Sequence, residues 1–222
     1  MERSTTRAVN PLVALLLSVT AVLTPVARAQ SVSGNAYGAF VQTPLGTQQS
    51  ALAVLPAVTA PDGAMADTAA DGASMPGTLT TAALTGTTSG AIGNTVAAAQ
   101  SVATVFNVNL LNGVITASGL TAAVSSTSDG ASATSSALGS TLADLVVNGV
   151  SITSGDGTVA PNTQIALPGV GYVVLNEQLP TGDGAHTSGL TVNLIHVVMQ
   201  APLTGVTTGE IIVGSASSNA TM

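Results

Sequence analysis

Two histidines, two carboxylates and a tyrosine fall within one stretch, Leu167–Met199, and no other part of the chain gathers so many groups able to do chemistry. They are Tyr172, Glu177, Asp183, His186 and His196. An imidazole beside a carboxylate is the minimum for general acid–base work or for activating a nucleophile. Asp183 and His186 share one loop and are expected to pair, with Glu177 on the segment just before. Glu177 with Asp183 or Glu210 would supply the carboxylate pair of a glycoside hydrolase. The sequence completes neither chemistry. Serine is abundant but never stands in a G-x-S-x-G elbow, and the flat rings that line sugar sites are scarce. The expectation is a ligand-binding or structural polar cluster, with no catalytic residue and no cofactor.

Five acids precede glycine: Asp62, Asp71, Asp129, Asp156 and Asp183. Calcium needs several carboxylate and carbonyl oxygens converging on one point, whereas Asp-Gly is also favourable turn chemistry. Only Asp62, Asp67 and Asp71 come close together in sequence, so these three are the candidate Ca²⁺ ligands. Each other turn offers a single acid, so turn chemistry is the preferred reading and no bound metal is expected.

The elements that would position these residues read as β-strands. Gly169–Gln178 and Gly189–Met199 are strands joined by a loop rich in Gly, Pro and Asp. Symmetric pairing about that loop sets Tyr172 opposite His196 and Glu177 opposite Thr191. Alternation puts His196 on the face of Leu190, Val192 and Leu194, a core or edge position. Upstream, residues 31–55 read as two strands turning at Pro44-Leu45-Gly46, and Pro56–Ala91 as a long loop excursion of small residues. From Ala97, period-two alternation groups Val102, Thr104, Phe106, Val108 and Leu110 on one side. Asn112-Gly113 is a hairpin signal that turns the chain into Val114–Thr127. Ala131–Val147 is the next strand, Asn148-Gly149 a second corner 36 residues after the first, and Val150–Thr153 continues beyond it. Glu210–Ser217 is the last strand and Asn219–Met222 a tail. Roughly ten strands, short turns and almost no helical period predict one all-β domain, an antiparallel β-sandwich or barrel-like fold. A membrane barrel would need aromatic girdles at both interfaces, which two Phe and two Tyr do not supply.

Residues 1–29 carry the pattern of a secretory signal: Arg3 and Arg7, the apolar run Leu12–Leu23, then Ala27-Arg28-Ala29. Once it is removed, the chain has no Lys and no Arg. It keeps Asp62, Asp67, Asp71, Asp129, Asp144, Asp156, Glu177, Asp183 and Glu210. Nucleic-acid binding rests on cationic contacts to phosphate and is not expected. Schiff-base and P-loop chemistries lack their lysine. Cysteine is absent, so there is no disulfide scaffold and no thiolate zinc site.

In order along the chain, a series of local patterns resembles the bacterial choice-of-anchor P family. They are Asn35-Ala36-Tyr37-Gly38, Val105–Gly113 (VFNVNLLNG) running into Ile115-Thr116-Ala117, and Ala143–Gly149 (ADLVVNG). Leu167–Gly171 (LPGVG), Leu175-Asn176-Glu177, Leu190–Val197 (LTVNLIHV) and Glu210–Ala216 (EIIVGSA) complete the set. The resemblance covers nearly the whole chain after the signal and implies a secreted surface domain joined to a C-terminal anchor. Here no apolar segment or basic tail follows the last predicted strand, so no anchor is evident. The expected protein is exported, acidic and extracellular or on the cell surface, with the periplasm as the other destination. Its expected role is structural or adhesive, toward cell-envelope components or copies of itself. It is not expected to be an integral membrane protein once the signal is cleaved. A Ca²⁺-dependent binding domain and a secreted hydrolase are the alternatives.

Export should be accompanied by cleavage after Ala29. Intact mass of the exported protein should correspond to a chain starting at Gln30, and a chain still beginning at Met1 would defeat the localisation.

Overall fold

The structure is a computed structural model that describes residues 30–44 and 46–222. The expected signal, 1–29, lies outside the described residues, as does Leu45 of the first predicted turn. In chain order the strands are β1 (Ser31–Thr43), β2 (Gly46–Ser50), β3 (Ala53–Val54), β4 (Asp62–Ala70), β5 (Ala73–Met75) and β6 (Leu79–Thr81). Then come β7 (Leu84–Ile92), β8 (Ala97–Leu110), β9 (Ile115–Ser128), β10 (Ala133–Ser136), β11 (Thr141–Ala143) and β12 (Val146–Val147). The remainder are β13 (Val150–Ser151), β14 (Asp156–Gly157), β15 (Thr163–Leu167), β16 (Gly171–Gly182), β17 (Thr187–Gln200) and β18 (Thr207–Thr221).

They form two antiparallel sheets, as the turn spacing predicts. One has seven strands along the path β15-β16-β17-β18-β1-β2, with β3 also on β1. The other has eleven, centred on β8 and β9, with β7 and then β4 on one side and β10, β11 and β12 on the other. The sheets face each other: β1 lies over β7 and β8, β18 over β8 and β9, and β17 over β9.

Each sheet is crossed by one line at which the backbone leaves regular β geometry. In the smaller sheet Asn162, Asn176, Leu194, Gly214, Gly38 and Ala51 fall in one row by register. Four of these six have left-handed φ: Asn162 57°, Asn176 48°, Gly214 68° and Ala51 55°. In the larger sheet the corresponding row is Gly72, Ala82, Asn107, Ser118, Asp144 and Gly155, with φ of 50° at Asn107, 49° at Asp144 and 60° at Gly155. Asn and Gly are the residues that tolerate this region best. The row also splits single strands in two, separating β2 from β3, β4 from β5, β6 from β7 and β11 from β12.

Crossing the row exchanges inside and outside. In β8 the buried residues are Ala97, Ala99, Ser101, Ala103 and Val105, then Val108 and Leu110. In β17 the inward-facing residues are Ser188, Leu190, Val192 and Leu194, then Ile195 and Val197, while Asn193 and Val198 are buried on the outer face. The single face expected for Val102, Thr104, Phe106, Val108 and Leu110 is therefore broken at Asn107: Val108 and Leu110 are buried and Phe106 is 49 % exposed. Other expectations also change. The predicted excursion 56–91 contains a nine-pair hairpin, β4 on β7, with unbroken register from Asp62↔Ile92 to Ala70↔Leu84. Its Ala, Thr and Gly side chains suit the close approach of the facing sheet. The predicted strand Ala131–Val147 is three short strands, broken at the 137–140 turn and at Asp144. The predicted tail Asn219–Met222 is largely strand: β18 runs to Thr221 and is flanked on both sides, with Thr221 opposite Ser31 of β1 and Thr187 of β17. Its Ser, Ala and Thr side chains fit a narrow interior, and Ala220 is fully buried.

The two halves of the interior differ in chemistry. On one side of the row lie large aliphatics such as Leu110, Ile115, Leu145, Leu175, Ile195 and Ile211, all fully buried. On the other side Ala, Gly and Ser predominate, and hydroxyls tie the sheets together. Ser101 donates to Ser217 O at 2.7 Å and shares a 2.8 Å bond with Thr88. Ser126 bonds Ser218 Oγ and Ser135 Oγ, both at 2.7 Å, and Ser135 bonds Ser188 at 2.6 Å. Among the described residues no buried side-chain polar atom is left unpaired. A buried Leu or Ile contributes about 1.5–3 kcal/mol, a paired hydroxyl only about 0.5–1.5 kcal/mol. Buried aliphatics hold both halves, Leu84, Ile92, Leu120 and Leu142 in the second, and the hydroxyl bonds there fix how the sheets register.

The two Asn-Gly corners behave as expected, with left-handed φ at Gly113 (91°) and Gly149 (76°). The first is a four-residue connection in which Leu111 and Asn112 are also left-handed. The corners sit side by side, Asn148 N–H donating to Val114 O at 2.8 Å.

Two glycine substitutions should destabilise for different reasons. A Cβ on Gly149 meets nothing within 4 Å, so Gly149→Val should cost only the left-handed backbone penalty, about 1–2 kcal/mol. A Cβ on Gly86 would sit 2.8 Å from the carbonyl oxygens of Ala36 and Ala51 in the facing sheet, so Gly86→Ala should cost about 1–3 kcal/mol by overpacking. An unchanged denaturation midpoint for Gly86→Ala would mean that the sheets do not approach this closely.

Candidate functional site

The outer face of the seven-stranded sheet carries three side-chain rows, given by the register of β1, β18, β17 and β16. They are Tyr37–Ser215–Asn193–Glu177, Phe40–Ile212–His196–Val174 and Gln42–Glu210–Val198–Tyr172. The first two rows lie on opposite sides of the irregular line. In a regular strand Asn193 and His196, three apart, would point to opposite faces. The inversion at Leu194–Ile195 brings both to the outer face. This corrects the expectation that His196 shares the face of Leu190, Val192 and Leu194.

The hairpin register is also displaced by two residues from the symmetric one. Tyr172 is opposite Val198, His196 opposite Val174, and Glu177 opposite Asn193. The cause is the tight closure at Asp183, which sets Gly182 opposite Ser188. The expected Tyr172–His196 and Glu177–Thr191 pairs therefore do not form. Tyr172 shares the outer face, separated from Glu210 by Val198.

His196 is held between two carboxylates. Its Nδ1 is 2.9 Å from Glu177 Oε2 and its Nε2 is 3.2 Å from Glu210 Oε2. Glu177 Oε2 also accepts from Asn193 Nδ2 at 2.7 Å, and Asn193 Oδ1 accepts from Ser215 Oγ at 2.7 Å. Tyr37 stands beside Ser215, and its ring meets Phe40 edge-on with centroids 6.3 Å apart. The His196 and Glu177 side chains are each only 16 % exposed, and Glu210 35 %.

Two acceptors on one imidazole require both ring nitrogens to donate, which is the imidazolium form. The hydrogen bond to Glu177 raises the His196 pKa against the opposing effect of burial, with further support from the Glu177 and Glu210 charges. Reciprocally, the His196 hydrogen bond lowers the Glu177 pKa, opposed by burial and assisted by Asn193. Burial pushes the Tyr37 phenol up, and the Glu210 and Glu177 charges add to that, while Ser215 acts the other way.

Asp183 and His186 do come together, but in the turn at the far end of the hairpin. Asp183 Oδ1 accepts backbone N–H groups from Ala185 (2.9 Å), His186 (2.7 Å) and Thr187 (2.8 Å), and Oδ2 lies 3.4 Å from His186 Nδ1. Those backbone donors, Thr187 first, hold this exposed carboxyl well below the usual carboxylate range. Six extended residues, about 20 Å, separate it from Glu177, so the five residues predicted as one cluster divide into two. The calcium candidates separate further. Asp62 and Asp67 are on one extended strand about 16 Å apart, and Asp71 follows its end. Among the described residues no group of three or more His, Asp or Glu side chains is arranged to hold a metal ion.

Asn193, Ser215 and Tyr37 are members that the sequence alone does not reveal. Strict alternation hides them, because it separates Asn193 from His196. The available signal was polar Asn and flexible Gly inside strand-like runs, at Asn107, Asn176, Gly38 and Gly214.

No protein-family model matches the chain, and no curated protein matches it. Among solved structures, a match is the crystal structure of Neisserial surface protein A. It is 12 % identical and covers 87 % of this chain and 97 % of that one, with a TM-score of 0.17, too low to indicate a shared architecture.

The charged cluster gives stability a defined pH profile. His196, with its pKa raised above 6.5, contributes fully below 6.5 and loses its contribution as pH rises through the folded value. Glu177, with its pKa lowered, contributes above 4.5 and loses its contribution as pH falls through the folded value. The cluster should therefore stabilise most between pH 4.5 and 6.5. His196→Gln should cost about 1–3 kcal/mol at pH 5.5 and progressively less above neutrality. Denaturant titrations of both proteins across pH check this, and a difference that stays constant with pH would exclude the imidazolium.

Proposed function

We propose that this is an exported, acidic β-sandwich protein of the cell surface or extracellular space with a structural or adhesive role, and not an enzyme. The observation that carries this reading is the commitment of both His196 nitrogens to carboxylates. A general base needs a free imidazole lone pair facing a nucleophile, and here each nitrogen faces Glu177 or Glu210. The nearest serine of the network, Ser215, donates to Asn193 instead. A glycosidase pair needs the space between its carboxylates for the scissile bond or a water; the imidazole occupies that space. The cluster thus braces four adjacent strands. A sandwich so braced, with hydroxyls joining its sheets, suits a protein whose work is to hold shape. The separation of Asp62, Asp67 and Asp71 weighs against the Ca²⁺-dependent alternative.

Cell fractionation should place the protein in the medium or at the surface, and esterase, peptidase and glycosidase screens should be blank. An activity abolished by His196→Gln or Glu177→Gln, in variants that remain folded, would replace this reading with an enzymatic one.

If the acidic turns are turns only, NaCl and CaCl₂ at matched ionic strength should raise the melting temperature equally, by screening carboxylate repulsion. Stabilisation by micromolar Ca²⁺, reversed by chelator, would favour the binding domain instead.

A further inference from the structure

The edges of the two sheets are not alike. β15 is five residues long, lies between Pro161 and Pro168, and has its Ala166 carbonyl taken by Asn148 Nδ2 at 3.1 Å. β10 has four residues, and its Ala133 N–H is taken by Gly184 O at 3.0 Å. β2 has five residues and β5 three, while β3, β13 and β14 have two each. Short strands and capped backbone groups are how natural sheets prevent edge-to-edge pairing. β4 is the longest edge: its nine residues pair with β7 alone and in unbroken register, and its protection is confined to Asp62, whose Oδ1 takes the Gly63 N–H at 2.7 Å, and to the charge of Asp67. Every second residue along it turns an N–H and a C=O away from β7.

We propose that the β4 edge is a self-association surface, through which two copies of this chain pair antiparallel about Met65. Twofold pairing of a strand with itself is isologous and closes at two copies. The side chains select both the occupant and the register. Met65 is 66 % exposed, and a twofold axis at this residue sets it against its own copy. The same register sets Ala64 opposite Ala66, Asp67 opposite Gly63 and Asp62 opposite Thr68, so small residues flank the methionine pair. The two Asp67 carboxylates then stand four residues apart along the ladder, about 13 Å, beyond the screening length of about 8 Å at physiological salt. An axis at Asp67 would set the two charges directly opposite each other, which is destabilising. This register apposes the exposed methionines and sets no acid directly opposite another; Asp62 falls one residue along from Asp67 of the other copy, but on the opposite face of the sheet. The larger sheet then runs continuously through both copies. This names a partner for the structural reading and rests on that reading only for its purpose. Failure of the pairing would leave the fractionation and activity results untouched.

The chain contains no cysteine, so single replacements report position directly. The test uses the purified chain and three variants, Met65→Cys, Ala69→Cys and Leu138→Cys, under mild oxidation, with sedimentation of the wild type and of Met65→Lys. Directly opposed Cβ atoms lie about 4.5–5.5 Å apart, so Met65→Cys should give a disulfide-linked dimer. Ala69→Cys, about 26 Å from its copy in this register, should not, nor should Leu138→Cys, exposed in a turn elsewhere. Wild type should dimerise with rising concentration, and Met65→Lys should weaken that at least tenfold while keeping the wild-type circular dichroism. A wild type monomeric up to about 0.1 mM would overturn the proposal, as would cross-linking of the Met65→Cys variant no faster than that of Leu138→Cys. Equal cross-linking at positions 65 and 69 would mean a parallel arrangement and also overturn it. So would capture of an unrelated extended peptide by β4 in place of a second copy.

Discussion

The row of irregular backbone that crosses both sheets is the constraint on which the rest depends. A strand alternates its side chains between two faces, and a residue in left-handed conformation resets that alternation. When neighbouring strands reset at the same rung, hydrogen bonding continues and the faces exchange together. Here the exchange occurs at Asn176, Leu194, Gly214 and Gly38 in one sheet and at Asn107 and Ser118 in the other. A reset in one strand alone would set its apolar residues against the polar face of its neighbours. The cost of the left-handed residues, mostly Asn and Gly, is small against that. Leu194 and Ile195, adjacent in sequence and both fully buried, are possible only because of it.

Charge is the second organising fact. Beyond residue 28 the sequence has no Lys or Arg, so histidine is the only side chain able to become a cation. The fold places one of its two histidines between Glu177 and Glu210 on a sheet face that also carries Tyr37, Phe40 and Ile212. Elsewhere, acids at turns are stabilised by backbone donors: Asp129 by Ala131 and Ser132, Asp183 by Ala185, His186 and Thr187. The protein thus accommodates its negative charge largely with its own N–H groups, a resource available at every turn.

The fold class was legible because turn chemistry and period-two patterning are local, and the Asn-Gly corners at 112–113 and 148–149 were placed by residue. The phase of the long strands was not legible. Val102, Thr104 and Phe106 look like one set with Val108 and Leu110 until Asn107 is known to be left-handed, and an asparagine inside a strand-like run is only a weak sign of that. The same blind spot placed His196 on the wrong face and hid Asn193. The small-residue segment 56–91 was misread because it has few large aliphatics, although Leu79 and Leu84 are both buried. At Gly86 the facing backbone approaches so closely that even a Cβ would crowd it. Glu177 and His196 were both singled out, but symmetric pairing gave them Thr191 and Tyr172 as partners; the displaced register and the exchange of faces are what bring them together.

The pairing of β1 with β18 joins Ser31 to Thr221, and the same strand pairs on its other side with β17. A central position in the smaller sheet is therefore filled by the last of the described strands. Loop closure across almost the entire described chain must precede that ladder, and ladders of such high contact order form slowly. Until they form, β1 and β17 each expose a long unpaired edge. That sheet therefore cannot close until β18 is available, and a precursor with those edges open is prone to edge-to-edge aggregation.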